Sequence, residues 1–437
     1  MAASPRRSIA ARTLACLLVA LGACVPAPCA ASDGAPGGFI RAEGKRLVAP
    51  DGSPFFVKGI NIGHWLVPEG YMFHFSRNSE APDQIRRVFE RLLGAERAAA
   101  FWMRFRDTFV TAEDIAFIGA AGFNTIRVPL DYRLFVSGDD EPRFEGVGYA
   151  LIDRLVGWAR AAGVRVILDL HAAPGGQVGA SHDGGSGYPL LFYVPANQDL
   201  TVRLWQTLAQ RYHDEPAVLG YDLLNEPIAP QHDTKYLEPR LAPLLQRIAS
   251  AIREVAPHQL IFLVGSRWGT TLHALGPPFA ENLVYTYHSY WASPRRNTIQ
   301  PLLNYRDRYN VPILIAETGE ATDDWIEAFR NLHESHEIGW IFWTYKNLDT
   351  PTTVASIPMP TDWQTIVDVA DHFVADPLAA LPPRSVIDRA FDDYLTGIAF
   401  RNCEIRWSYL EALGLKGARC VYNARSLCYG SRTTQRP

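Results

Sequence analysis

The sequence predicts an α/β protein folded as a closed (β/α)8 barrel of the TIM type, and three observations carry that prediction. First, eight short, β-rich apolar runs recur after a Gly/Pro/Ala-rich linker ending near Gly38: "FFVKGINIG", "FNTIRVPL", "VRVILDLH", "VLGYDLLNEP", "QLIFLVGS", "LVYTYHSY", "VPILIAETG" and "GWIFWTYK". Second, each is followed by turn residues and then by a segment with helical spacing, as in "LIDRLVGWARAAG" or "LTVRLWQTLAQRYHD". Third, the runs are apolar on both faces, as parallel strands covered by helices must be, and eight strand-helix units in about 300 residues are what a closed barrel requires.

An open doubly wound sheet is the competing arrangement. It usually has fewer strands and a glycine-rich phosphate turn after the first. Here the first run leads into "NIGHWLVPEGYMF", with no GxGxxG and no lysine-bearing phosphate loop. The segments 64–110 and 172–197 are too long for simple connectors and are expected to wall a site. The glycine-rich "GGQVGASHDGGSG" in the second lacks the Lys and helix start of a phosphate cradle and reads as a substrate loop.

Bulk properties narrow the function. At 437 residues and 48% apolar, the chain can bury a large core. A formal charge of −4 with scattered arginines gives no polybasic field, so no nucleic-acid partner is expected. The first thirty residues carry Arg6, Arg7 and Arg12, the apolar "LACLLVALGAC", then the small residues of "APCAAS", which is the layout of an export signal. No later stretch approaches the ~20 apolar residues of a transmembrane segment.

The expected division is therefore a signal at 1–30, a linker at 31–38, a barrel domain at 39–400 and a Cys-containing tail at 401–437. The mature chain is expected outside the cytoplasm: secreted, periplasmic or anchored at the surface as a lipoprotein. The leader leaves two readings open, because "LGAC" resembles a lipobox with Cys24 as lipid acceptor, whereas "PCAA" suits ordinary cleavage. A monomer is expected. Cys403, Cys420 and Cys428 suggest one disulfide and a leftover thiol, with Cys420–Cys428 a plausible pair; without a CxxC, zinc is disfavoured.

The chemistry should lie at the C-terminal strand ends, where such barrels place their sites. The second run is read as ending in Arg127, the third in His171, the fourth in Asn225 and Glu226, the sixth in His288 and Tyr290, and the seventh in Glu317, while the eighth carries Trp343. Each alone reads more simply as a rim salt bridge, a hydrogen-bonded structural residue or core. Their agreement at six of eight ends does not. "NEP" is then where a core strand leaves the core, with Pro227 stopping the ladder.

Two carboxylates across a barrel mouth are what glycosidic cleavage needs: one protonates the leaving oxygen while the other attacks the anomeric carbon. The acid is expected to have a pKa raised by burial and the neighbouring charge, and the nucleophile to be kept ionised by donors such as Arg127 or Tyr290. Asn225 is placed to hold a sugar hydroxyl, and Trp343 to offer a flat apolar face to a sugar ring. "HESHE", with His333 and His336, is assigned to a solvent-facing helix and not to a metal site.

At these residues the chain resembles glycoside hydrolase family 5, the cellulase-type retaining glycosidases of clan A, over residues 39 to 400. "LLNEP" resembles the acid/base strand, carried onto Glu226 with Asn225 before it. "ILIAETG" resembles the nucleophile strand, carried onto Glu317. Counterparts of other family positions are Arg127 in "IRVP", His171 in "LDLHAAPGG", His288 and Tyr290 in "YHSY", and Trp343 in "IFWTYK". "GINIGHWLVPE" and "DLHAAPGGQ" look more like the exo-β-1,3-glucanase and β-1,6-glucanase branch than like classical cellulases. His64, where that branch has Gly, and "WTYKNLD" depart from it. The resemblance implies a polysaccharide or oligosaccharide substrate, a retaining β-glycosidase acting on β-glucan, and no metal or organic cofactor. A cellulase or a transglycosylase with the same pair, and a non-catalytic carbohydrate-binding barrel, are the alternatives.

Overall fold

The computed structural model describes residues 38–415 except 77–78, 139–140, 185–186 and 373–377, together with Met1. The leader, Cys24, Cys420 and Cys428 lie outside the described residues. A short hairpin of β1 (Arg41–Glu43) and β2 (Arg46–Val48) precedes the barrel. The eight predicted runs then supply β3 (Lys58–Asn61), β4 (Thr125–Asp131), β5 (Arg165–Ala172), β6 (Val218–Asp222), β7 (Leu260–Val264), β8 (Leu283–His288), β9 (Ile313–Glu317) and β10 (Gly339–Phe342). All neighbours pair in parallel, and β10 closes on β3.

Alternation along each strand sorts the side chains into two cores. Ile167, Leu260, Phe262, Val284, Leu314 and Ile341 point into the barrel, where Ile40 and Leu47 from the hairpin region pack against them. The intervening Val166, Leu168, Ile261, Leu263, Tyr285 and Tyr287 face the surrounding helices. The same period of two takes the inner face from apolar to polar: on β5, Ile167 is followed by Asp169 and His171, and on β8, Val284 by Thr286 and His288. The polar groups thus gather toward the C-terminal end of the barrel.

Three helices, α1 (Pro82–Leu93), α2 (Ala95–Phe109) and α3 (Ala112–Ala121), fill the connection from β3 to β4. Helices α4 (Val147–Ala162), α5 (Pro195–Tyr212) and α6 (Thr234–Val255) follow the next three strands, while α7 (Arg296–Tyr309) and α8 (Asp323–Glu334) follow β8 and β9. The connection from β7 to β8 departs from the expected pattern, holding only a 3-10 turn at His273–Leu275 and no α-helix. Gly265, Gly269, Gly276, Pro277 and Pro278 in that stretch explain the loss, since both residue types disfavour a helix interior.

After β10 the chain forms a small sheet from β11 (Lys346–Leu348), β12 (Ala355–Ile357) and β13 (Glu404–Ile405). It also adds α9 (Trp363–His372), α10 (Arg384–Gly397) and α11 (Trp407–Ala412). The described part of the tail packs onto the barrel: β13 pairs with β12, and the Ala412 carbonyl accepts from Arg330 on α8 at 3.0 Å. Cys403 is a free thiol, with its sulfur 3.5 Å from the Gly397 carbonyl.

Two long-range clusters fix the wall beside the barrel mouth. Phe73, Phe89, Trp102, Phe105, Trp363 and Tyr394 form an aromatic stack between residues 70–73 and helices α1, α2, α9 and α10. Lys346, fully buried, donates to the carbonyls of Phe109 and Ile398 and to Asp114, tying α2, α3 and α10 to β11. The helix assigned to solvent around His333 is corrected by the structure. Ile326, Phe329 and His333 continue one apolar face of α8, and the buried His333 ring meets the Tyr287 hydroxyl and the Phe329 carbonyl.

Candidate active site

The two candidate carboxylates arrive on differently built supports. Glu317 is the last residue of β9, and the following Gly319 (φ +139°) lies so close to Trp343 that a Cβ would stand 2.4 Å from the Trp343 carbonyl oxygen. Only glycine allows the ends of β9 and β10 to approach in this way. Glu226 follows β6 in a turn where its own φ is +44° and that of Ile228 is +63°. Such left-handed backbone costs a non-glycine residue about 1–3 kcal/mol and persists only under external constraint.

The constraint comes from the glycine-rich loop after β5. Gln177 is fully buried; its amide donates to the carbonyls of His171 at 2.7 Å and Asn225 at 2.9 Å. Its own backbone carbonyl accepts from Ile228 at 2.9 Å. The sequence marked this loop for substrate contact but did not single out Gln177.

One oxygen-bearing group from Glu226, one from Glu317 and a ring nitrogen of His288 lie within 4.8 Å of one another. Arg127 donates to Glu317 Oε1 at 2.5 Å, and the Tyr290 hydroxyl donates to Oε2 at 3.1 Å. His288 Nδ1 stands 2.8 Å from Glu226 Oε1 and 3.6 Å from Glu317 Oε2. On the other side of Glu226, His182 Nε2 is 3.0 Å from Oε2. The carboxylates are thus already engaged by proton donors and cations, an arrangement suited to proton transfer rather than to seating a metal ion.

Arg127 is where the sequence reading needs a correction of place. Strand β4 runs on through Pro129 to Asp131, so Arg127 lies inside the barrel, fully buried below the rim. There it meets Asp169 Oδ1 at 3.1 Å, Asp222 Oδ2 at 2.8 Å, Asn61 Oδ1 at 3.1 Å and Asn225 Oδ1 at 2.9 Å, besides Glu317. Burial works against its charge, but the three carboxylates outweigh burial and hold the guanidinium protonated. Burial pushes the carboxyls of Asp169 and Asp222 up to about 7, against the pull of Arg127.

His171 and Asn225 line the cavity, yet much of their bonding is spent on protein. His171 is driven neutral, its pKa lowered to about 3 by burial. A consistent tautomer has Nδ1–H donating to Asp169 at 2.8 Å while Nε2 accepts from the Asn225 amide at 3.2 Å. Trp343 stacks on His171, with ring centres 5.8 Å apart and planes 16° from parallel, and donates its Nε1–H to the Tyr71 hydroxyl at 2.7 Å.

The expectation for Glu226 is overturned in one respect. Burial does push its carboxyl up, but the contacts from His182 and His288 outweigh burial and hold it well below the ordinary range. This balance favours the proton on the imidazole side. Burial alone would strip His182, but Glu226, Glu69 and Asp183 raise it to about 9. His288 is likewise raised, with Glu317 and Glu226 overcoming burial.

The carboxylates open into a cavity of about 390 Å³. Its wall includes residues that the sequence analysis did not name: Glu69 and Tyr71 from the segment after β3, His182 from the loop after β5, Trp268 after β7, Trp291 after β8, and Glu320 after β9. Glu69 is raised to about 8 by burial, and its Oε1 is buried without a hydrogen-bond partner. Trp291 is 69% exposed, with its Nε1–H donated to the Glu320 carbonyl at 3.0 Å. For Glu69, Tyr71 and His182 the signal is the long segments 64–110 and 172–197, expected to wall a site, whereas Trp268, Trp291 and Glu320 lie outside both.

This fold and this facing pair of carboxylates define the chain's class as a barrel glycoside hydrolase. The chain belongs to glycosyl hydrolase family 5: the sequence model of that family, described as Cellulase, matches residues 89–349. Among known relatives, the beta-xylosidase of Phanerodontia chrysosporium is 31% identical over 256 residues, covering 58% of this chain and 52% of that protein. A probable glucan 1,3-beta-glucosidase A of Emericella nidulans is 38% identical over 178 residues, 40% of this chain and 43% of the relative. The glucan 1,3-beta-glucosidase I/II of Saccharomyces cerevisiae is 30% identical over 260 residues, 55% of this chain and 57% of the relative. The chain spans about half the length of the relatives it matches.

Among solved structures, an endogalactoceramidase superposes with a TM-score of 0.57 at 17% identity, covering 86% of this chain and 84% of that one. A rutinosidase from Aspergillus niger gives 0.54 at 17% identity, covering 67% of this chain and 90% of that one. These likenesses concern the fold alone. Among the described residues no helix is long and apolar enough to cross a membrane.

Proposed function

We propose that the chain is a retaining β-glycosidase that hydrolyses β-glucan or β-linked gluco-oligosaccharides by double displacement, with Glu317 as nucleophile and Glu226 as acid/base. The observation that carries this reading is the approach of a Glu226 oxygen to a Glu317 oxygen within 4.8 Å. Retaining pairs stand about 5–5.5 Å apart, whereas inverting pairs leave about 6.5–9.5 Å for a water between them. The relatives named glucan 1,3-beta-glucosidase support β-glucan as the substrate class. The export-signal layout of the first thirty residues supports action outside the cytoplasm.

In the first step Glu317 attacks the anomeric carbon while Glu226 protonates the departing oxygen. In the second, Glu226 takes a proton from water, which displaces Glu317 from the sugar. Arg127 and Tyr290 each donate to a Glu317 oxygen, which fixes the aim of the nucleophile. Glu69, as a neutral carboxyl with a free buried oxygen, is suited to a sugar hydroxyl, and Trp343 offers a ring face. The exposed Trp291 and the partly exposed Trp268 give the cavity mouth an aromatic edge for the next sugar unit.

The test exploits leaving-group dependence. Glu226→Ala is expected to lose at least about 1,000-fold in kcat/KM on laminarin oligosaccharides but no more than about tenfold on 2,4-dinitrophenyl β-glucoside, whose leaving group needs no proton. Equal losses on both substrates contradict the acid role. Running the wild type on laminarin, pustulan, carboxymethyl cellulose, aryl β-glucoside and aryl β-xyloside sets linkage and sugar preference, and no sugar release from any of them removes the catalytic reading.

A further inference from the structure

The proton needed by Glu226 has a specific place to come from. Each oxygen of this carboxylate faces an imidazole: Oε1 has His288 Nδ1 at 2.8 Å, and Oε2 has His182 Nε2 at 3.0 Å. The two imidazoles differ in setting. His288 closes strand β8 and sits between both carboxylates, so its charge also steadies Glu317. His182 lies on the cavity side, in the loop after β5, and among the described residues its ion-pair contact within 4 Å is to Glu226 and not to Glu317.

The loop holds His182 at that spot by its backbone. Asp183, its neighbour, accepts from the amides of Val178 at 2.8 Å and Gly179 at 2.7 Å, and the Gly179 carbonyl is met by His232 at 2.8 Å. A Cβ on Gly179 would stand 2.2 Å from the His232 ring, so the loop is packed tightly there. The His182 Nε2 is buried without an aligned hydrogen bond, because the Glu226 oxygen lies at contact distance but off the N–H axis.

Resting on the acid/base assignment above, we propose that His182 is a positioning residue that shares a single proton with Glu226 and passes it on as the glycosidic oxygen departs. The proton moves from His182 Nε2 to Glu226 Oε2 and from there to the leaving oxygen, as the C1–O bond breaks and the C1–Glu317 bond forms. In the second step a water proton goes to Glu226 and returns to His182, while the hydroxyl oxygen bonds C1 and Glu317 leaves. Atoms and charge balance over the cycle without any further reactant.

The groups facing His182 set the direction of its pH behaviour. They are Glu226 after β6, Glu69 after β3, its neighbour Asp183 and the His171 ring 6.3 Å away, while His288 acts on the same carboxylate from β8. Glu226 and Asp183 favour the protonated ring over the neutral one, and Glu69 joins them only once it ionises near pH 8. The pair as a unit therefore keeps its proton further into alkali than a lone carboxyl would.

The experiment compares pH profiles of kcat/KM for wild type and His182→Gln on phenyl β-glucoside, which needs a proton, and on 2,4-dinitrophenyl β-glucoside, which does not. With phenyl β-glucoside the basic limb of the variant is expected at least about two pH units lower, so that at pH 8 it loses at least about 30-fold. The loss on the dinitrophenyl substrate at the same pH is expected to be several times smaller. A thermal melt of the variant, with the dinitrophenyl rate, reports whether it is folded. An unmoved basic limb on phenyl β-glucoside overturns the proposal, as does a pH-independent loss equal on both substrates. Glu226→Ala assayed alongside separates the two levels: if it fails to spare the dinitrophenyl substrate, the acid/base assignment itself has failed.

Discussion

Glu317→Ala is expected to lower turnover of β-glucosides by at least about 10,000-fold while leaving the protein folded, and sodium azide is expected to restore part of the rate. The reasoning is geometric. Glu317 sits at the end of β9 with one oxygen on Arg127 and the other on Tyr290, aimed at the cavity it shares with Glu226. Truncation leaves a space on the face of the sugar from which the carboxylate attacked, large enough for a small anion. Azide entering there displaces the β-linked leaving group from behind, so the product is the α-glycosyl azide. Mass spectrometry and proton NMR of the product check it. A β-configured azide, or rescue of Glu226→Ala to the α product instead, would exchange or remove the assigned roles.

The second large effect concerns Arg127. Its guanidinium is the shared partner of Asp169, Asp222 and Glu317, all buried. Arg127→Met keeps most of the stem volume but leaves those acids without a counter-charge, and removing one member of a buried ionic network costs about 3–5 kcal/mol. The sign of the pH effect follows from the acids left behind. Asp169 and Asp222 are already raised to about 7 beside Arg127, against an ordinary value of 3.8. A carboxyl whose folded pKa exceeds its unfolded value weakens the fold as pH rises through the gap. Wild type and variant share that slope up to about pH 7, and above it only the variant, whose acids have lost their counter-charge, keeps weakening, so the stability deficit of Arg127→Met is expected to widen from pH 7 to pH 8.5 in urea unfolding. A deficit that is flat or shrinking over that range would mean that the acids do not depend on Arg127 for their charge. Arg127→Lys should recover only part of the loss, since an ammonium cannot reproduce the forked contacts to five partners.

These effects explain why parts of this protein were legible in the sequence and others were not. The strands could be read because parallel strands buried on both faces leave continuous apolar runs; six of the eight runs contain their strand, and β4 and β5 each extend one residue past theirs. Glu226 and Glu317 could be read because six of the eight run ends carry polar or aromatic groups suited to one site, although each alone reads as a rim salt bridge. Arg127 reads as the end of its strand, although Pro129 still belongs to the same apolar run. In the structure the pairing continues past it to Asp131, which places the arginine below the mouth. The helix missing after β7 was hidden because the helical expectation was generalised from its neighbours across a stretch rich in glycine and proline.

What no local pattern could reveal were partners brought together from distant segments. His182 is 44 residues from Glu226 in sequence (226 − 182) and sits in a loop without periodicity, so its contact with the carboxylate exists only once the loop is packed. Gln177, Glu69 and Tyr71 share that character. The same packing reversed the expected resting state of Glu226, because two imidazoles outweigh burial. His333 was a different kind of miss: Ile326 and Phe329 already marked its face of α8 as buried.

The central claim is that Glu226 and Glu317 stand close enough for a covalent glycosyl-enzyme intermediate, and the configuration of the first-formed product tests it most directly. Proton NMR of the hydrolysis of an aryl β-glucoside, followed from the first minute, should show the β-anomer of the free sugar appearing before mutarotation brings in the α-anomer. Initial release of the α-anomer would mean a single inverting displacement through an interposed water, and would contradict the account.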